Sequence, residues 1–197
     1  MTKSSVFLGF APWIIFDVVA GPSTWIWAAV AALAASLILA LPDWRRAREI
    51  GVLDAAGLVF FAVLVVLAFV LNRSDLQILE DRAQLLSSVV IAVVAFGSLA
   101  VGHPFTEYYA RQTTPREYWG NLTFRQINRV LTLVWGVVFV VNALCDVAVA
   151  FWGASPDVFN WVLPIVLIVA AVKFTDWYPD HATGDAVEAA PARAPHA

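Results

Sequence analysis

GVLDAAGLVFFAVLVVLAFVL, residues 51–71, decides the fold: one charged residue, Asp54, interrupts an otherwise apolar run. A bilayer core needs roughly 20 apolar residues per helical crossing, and this run supplies them. Working outward, five more such stretches appear, which predict spans over Ser4–Ala20, Thr24–Leu41, Ala83–His103, Asn128–Trp152 and Val158–Tyr178. Little chain remains for a soluble domain. The expectation is an all-α fold, a polytopic transmembrane bundle of six helices over residues 1–178 with a short tail, 179–197.

Composition agrees. Hydrophobic residues make up 61% and charged residues 14% of the chain, against about half and a quarter in soluble domains. The net charge of −3, with no basic stripe clear of the membrane flanks, argues against nucleic acid as a partner. A lone cysteine, Cys145, lies inside the fifth stretch and can form neither an internal disulfide nor a CxxC pair, so its expected role is structural.

The cationic residues set the orientation. Of twelve Lys and Arg, Lys3 precedes the first stretch. Arg45, Arg46 and Arg48 follow the second, and Arg111, Arg116, Arg125 and Arg129 follow the fourth. Arg193 is in the tail and Lys173 within the last stretch, while the opposite face carries only Arg73 and Arg82, offset by Asp75, Glu80 and Asp81. The positive-inside rule then places both termini in the cytoplasm. Trp25, Trp27, Trp44, Trp119, Trp152, Trp161 and Trp177 fall near the span ends, as an interfacial belt would. Lys3, the apolar run and the small residues at Ala20 and Gly21 also fit a secretory signal, but Pro12 and Asp17 interrupt its core. Retention is the expectation, in a plasma membrane that the Ala/Val-rich, Lys-poor composition marks as bacterial, the cell inner membrane.

The connections Gly21–Ser23 and Gly153–Asp157 are so short that their flanking helices must be antiparallel neighbours. Ala28, Ala32 and Ser36 form a small-xxx-small face, expected to pack inside the bundle before it serves a second copy. No repeat relates the first three stretches to the last three, so the inverted-repeat sign of many transporters is not visible. The Ala-, Pro- and acid-rich segment after Tyr178 has no periodic apolar face and is expected to be disordered. The loop Pro104–Ile127 mixes aromatics with arginines in TEYYARQ and in REYWGNLTFRQINR, which runs on to 129. It reads as an interfacial, positive-inside segment, with Tyr108, Tyr109, Arg111, Arg116 and Trp119 as a candidate interaction surface for lipid headgroups or proteins. On a cytoplasmic loop the Asn121-Leu-Thr123 sequon has no acceptor role.

Ionisable groups inside spans are costly and usually paired or functional. Asp17, Asp54, Asp146 and Lys173 stand out, with Asn142 as a polar neighbour. Asp146 comes about 27 Å along its span, near the outer side, like Asp17. Asp54 and Lys173 lie toward the cytoplasmic side and are expected to pair. Asp17 and Asp146 can meet, and two close carboxylates cannot both ionise cheaply, which makes them a candidate proton-handling site. The alternative is that each merely reaches the interface or a nearby Ser or Asn. Lys173 sits too near an edge, in too few helices, for a retinal Schiff base.

His103 is the one histidine near the membrane, which leaves no bis-histidine haem or His-rich zinc site within the chain, so neither metal nor cofactor is expected. HExxH, GxSxG and Gly-rich phosphate loops are absent. His103 and Glu107 have i, i+4 spacing, but Pro104 is expected to break the helix between them. No catalytic residue is assigned and a non-enzymatic role is expected.

LGFAPWIIFDVV (8–19), AAVAALAASL (28–37) and the basic DWRR (43–46) resemble the start of the intracellular septation protein A family of bacterial inner-membrane proteins. REYWGNLTFRQINRVLTLVWGVVFVVNALCDVAVAF, residues 116–151, is similar to that family's second half, through Trp119, Trp135, Phe139 and Asn142. The resemblance implies a role in cell-envelope maintenance or septation through membrane lipids, division or envelope proteins, or a second copy, without catalysis. That family is commonly given five spans where this sequence reads as six. The runner-up is a small proton-, ion- or lipid-handling transporter or channel centred on Asp17 and Asp146.

Overall fold

A computed structural model describes residues 5–20, 24–47 and 49–188. Seven α-helices follow one another: α1 (Ser5–Val19), α2 (Trp25–Ala47), α3 (Val52–Val70), α4 (Arg73–Ala100), α5 (Phe105–Arg111), α6 (Leu122–Trp152) and α7 (Leu163–Glu188). A 3-10 turn, Arg116–Tyr118, precedes α6, and a π-helical turn, Asp157–Val162, leads into α7. Among the described residues there is no strand.

The helix starts are written locally. Asn72 Oδ1 accepts from the Asp75 N–H at 3.0 Å, and Asn121 Oδ1 accepts from the Thr123 N–H at 3.0 Å, so each asparagine caps the helix it precedes. Asn121 of the sequon is thus used as a cap. α6 ends at Gly153, whose φ of +65° is the left-handed conformation that closes helices and turns the chain toward α7. Thr24 Oγ1 donates to the Val19 carbonyl at 2.7 Å and ties the end of α1 to the start of α2.

Among the described residues five helices are long and apolar enough to cross a membrane: α2, α3, α4, α6 and the π-turn with α7. α1 differs. Its 15 residues span about 22 Å, against a hydrocarbon core of about 30 Å, and Pro12 lies inside it. α4 begins ten residues before the expected Ala83, because Asn72 caps it there. α7 runs on to Glu188, past the boundary expected at Tyr178; residues 189–197 lie outside those described.

α1 packs mainly on α2 and also touches α3, α4 and α5. Phe10, Trp13 and Phe16 recur every three residues and are 4%, 3% and 0% exposed. Trp13 stacks on Phe60 at 5.4 Å and Phe16 lies 5.4 Å from Phe61, which fastens α1 to α3. Phe10 stacks on Trp135 at 4.6 Å and meets Phe139 at 5.6 Å, which fastens it to α6. In hydrocarbon no hydrophobic force draws helices together, so such pairs, about 0.5–1.5 kcal/mol each, and close packing hold the bundle. Ala28, Ala32 and Ser36 are buried in it, as the small-residue face requires. Trp25 also turns inward, 3% exposed, and so does not serve the belt, whereas Trp27 is 71% exposed.

The 104–127 segment is not one interfacial loop. Pro104 ends the turn after α4, and α5 folds back against the bundle with Phe105, Thr106 and Tyr109 buried. Thr106 Oγ1 donates to the Asn128 carbonyl at 2.9 Å and meets Thr132 Oγ1 at 2.8 Å, which locks α5 onto α6.

Candidate functional site

Asp17 lies in the last turn of α1, and Asn142 and Asp146 are one turn apart on α6. Gln84 and Ser88 of α4 and Asn160 and Trp161 of the π-turn join them around one cavity of about 270 Å3. The remaining wall is apolar: Ile14 and Val18 of α1 face Pro164, Ile165, Ile168 and Val169 of α7. Single π-turns are rare and recur at functional sites; this one places Asn160 and Trp161 at the cavity.

The polar atoms are arranged in a definite way. The Gln84 amide donates to the Asp17 carbonyl at 3.1 Å, which fixes the end of α1 against α4. Ser88 lines the same cavity as Asp17 and Asp146, and Ser87 lies beside Asp17 in the smaller cavity that adjoins it. Asp17 and Asp146 line this one cavity from α1 and α6. Asn142 Oδ1, Asp146 Oδ2 and Asn160 Oδ1 are buried without a hydrogen-bond partner. Buried oxygens left unmet cost about 1–3 kcal/mol apiece, so these three offer acceptors to water, a cation or a donating ligand.

Below it a smaller cavity of about 60 Å3 shares Asp17, Ser88 and Asn142 and ends on Phe10, Trp13, Trp135 and Phe139. The polar cavity therefore tapers onto an aromatic floor. Trp135 Nε1 passes beneath it to donate to Thr175 Oγ1 of α7 at 3.0 Å.

At the other end of the bundle the arrangement departs from expectation. Among the described residues no ion pair joins Asp54 to Lys173. Asp54 Oδ2 instead accepts from the Tyr109 hydroxyl at 3.0 Å, and Lys173 is exposed. Tyr109, expected at a surface, is 3% exposed because α5 folds inward. Gly9 makes room for it: a Cβ there would lie 2.3 Å from the Tyr109 hydroxyl oxygen. Tyr108 is half-buried. Arg111 pairs with the buried Glu107 one turn before it, and the guanidinium groups of Arg111 and Arg116 lie 5.0 and 5.6 Å from the Trp119 ring. His103 is exposed in the turn before Pro104, separate from the helix that carries Glu107.

Gln84, Ser87, Ser88, Asn160 and Trp161 escaped the sequence reading as site residues. Gln84, Ser87 and Ser88 stand at i, i+3 and i+4, one polar face on an apolar helix, and that spacing was the available signal. Among the described residues no cluster of three or more His, Cys, Asp or Glu could hold a metal ion.

Five membrane-length helices and this polar cavity among them mark the chain as a multi-pass, all-α membrane protein. Comparison with protein-family models, curated proteins and solved structures finds no match to it.

Proposed function

We propose that the chain is a small carrier or channel that binds and moves a cation through the cavity between Asp17 and Asp146. One observation carries this reading: carboxylates from two helices, with three unmet oxygens from Asn142, Asp146 and Asn160, line a single cavity that, among the described residues, no Lys or Arg lines. Intramembrane carboxylates facing a cavity are typical of ion and proton pathways. In this reading α1 is a sixth, short crossing, both termini are cytoplasmic, and the membrane is the bacterial inner membrane. The distribution of Lys and Arg supports the topology. The cavity then opens toward the outer face. Tested on a solid-supported membrane, wild-type proteoliposomes should give charge displacement on jumps of pH or cation concentration, and Asp17→Asn and Asp146→Asn should abolish it. Silent wild type, or variants that match it, would refute the proposal.

A second reading has its own support. Arg111 and Arg116, both exposed, flank the half-buried Trp119 ring at the opposite end, a cationic–aromatic group suited to anionic headgroups or a partner protein. With the resemblance to the septation protein A family, commonly given five spans, it favours envelope maintenance by docking. Recovery of division or envelope-synthesis proteins with the tagged chain, lost on Ala substitution at Arg111, Arg116 and Trp119, would support it; recovery unchanged by those substitutions would refute it.

A further inference from the structure

We infer that the cation is an amphipathic primary ammonium, one charged head on a compact apolar body, admitted from the side between α1 and α7. The inference rests on the cation-handling reading above and names its substrate class.

Three features select this chemistry. The unsatisfied groups of the upper cavity are all oxygens: Asn142 Oδ1, Asp146 Oδ2 and Asn160 Oδ1. The Gln84 amide nitrogen is already committed to the Asp17 carbonyl. Three unmet oxygens beside two carboxylates favour a ligand that donates, and an ammonium brings three N–H donors and a positive charge to them. Trp161 lines the same cavity, and an indole ring attracts a cation held over its face.

Size and polarity exclude the simplest cations as the best fit. A cavity of 150 Å3 takes a benzene ring, so about 270 Å3 takes roughly ten non-hydrogen atoms. A proton needs no such space. A bare metal ion would leave the Ile14, Val18, Ile165, Ile168 and Val169 wall without a partner. An ammonium with an apolar body fills both parts at once.

The wall also shows the way in. Ile14 is 45% exposed, Val18 56%, Ile165 54% and Val169 48%, so the apolar side of the cavity is open at its flank. In a bilayer that flank faces the lipid layer, where an amphipathic amine concentrates with its head at the interface. Lateral entry brings the head to Asp17 and Asp146 while the body stays in an apolar setting.

Isothermal titration of the full chain in dodecyl maltoside tests this with 2-phenylethylammonium against its neutral analogue 2-phenylethanol. The ammonium should bind saturably and at least ten-fold more tightly than the alcohol. A hundred-fold excess of sodium should not displace it. Asp17→Asn and Asp146→Asn should each weaken binding ten-fold or more. Ile165→Trp, which fills the wall and leaves both carboxylates in place, should abolish it with an unchanged elution profile. Equal affinity for the alcohol, displacement by sodium, or binding indifferent to Ile165→Trp would overturn the inference. Charge displacement that needs Asp17 and Asp146 without ammonium binding would retire this inference and leave the broader one standing. Neither signal would remove both.

Discussion

Replacing Thr175 by Val tests how α7 is held. Of the α7 residues up to Ala182, Ala171 alone is fully buried, so the helix has little packing to fix it. Its specific tie is Trp135 Nε1–H donating to Thr175 Oγ1 at 3.0 Å. Thr175→Val keeps the shape but leaves a buried indole N–H unmet, which costs about 1–3 kcal/mol, with the low end expected in a membrane bundle. Trp135→Phe removes the donor itself and retains stacking on Phe10, so it loses about 1 kcal/mol of hydrogen bonding with a modest packing loss. Once the donor is gone, Thr175→Val should cost almost nothing more, since Thr175 Oγ1 otherwise serves only the Ala171 carbonyl of its own helix at 2.8 Å. A double-mutant cycle, read by circular dichroism during SDS titration of dodecyl maltoside micelles, should return a coupling of about 0.6–1.5 kcal/mol. Costs additive to within about 0.3 kcal/mol would show that the bond does not hold α7.

Four further outcomes are expected. Gly9→Ala should lower the unfolding midpoint, because its Cβ meets the Tyr109 hydroxyl, and Tyr109→Leu should recover part of the loss when combined with it; equal midpoints for Gly9→Ala and wild type would count against the packing described. Gly153→Ala should cost about 1–2 kcal/mol through its left-handed φ, read in the same titration; no change would refute the C-cap role. Cys145, 4% exposed, should react with N-ethylmaleimide only after SDS unfolding, and prompt labelling of the folded chain would contradict its burial. For the topology, Ser74→Cys should take up a membrane-impermeant maleimide from outside intact cells and Arg116→Cys only after permeabilisation, both in a Cys145→Ser background; the reverse pattern would invert the bundle.

Much of the architecture was legible because hydrocarbon imposes a simple code. Long apolar runs and short turns placed α2, α3, α6 and α7 and made α1–α2 and α6–α7 neighbours. Long-range pairing was not legible. Asp54 found Tyr109 because Pro104 lets α5 turn back and Gly9 leaves room, a coincidence of three segments that no local pattern announces. Asp17 and Asp146 were placed at one depth by counting residues, but depth cannot give azimuth, so the cavity they share was open until the helices were packed. Asn160 was hidden for another reason: a π-turn shifts the register of the helix face. The continuation of α7 past Tyr178 was missed because Pro179 and the polar residues after it read as a stop.

The junction at Gly153 bears on how the protein enters its membrane. α7 supplies one wall of the cavity, so until it docks, Asp17 and Asp146 face lipid on that side. A carboxylate facing lipid costs roughly 2.5–3.5 kcal/mol at the bilayer centre on insertion scales and less toward the outer side, where Asp146 lies, and α6 would bear that smaller penalty if it left the translocation channel alone. With only residues 153–156 between α6 and the π-turn, the two segments can leave as one hairpin. Membrane insertion and construction of the binding site are then a single event, and a ribosome stalled between the two helices would hold a chain that is neither properly inserted nor functional.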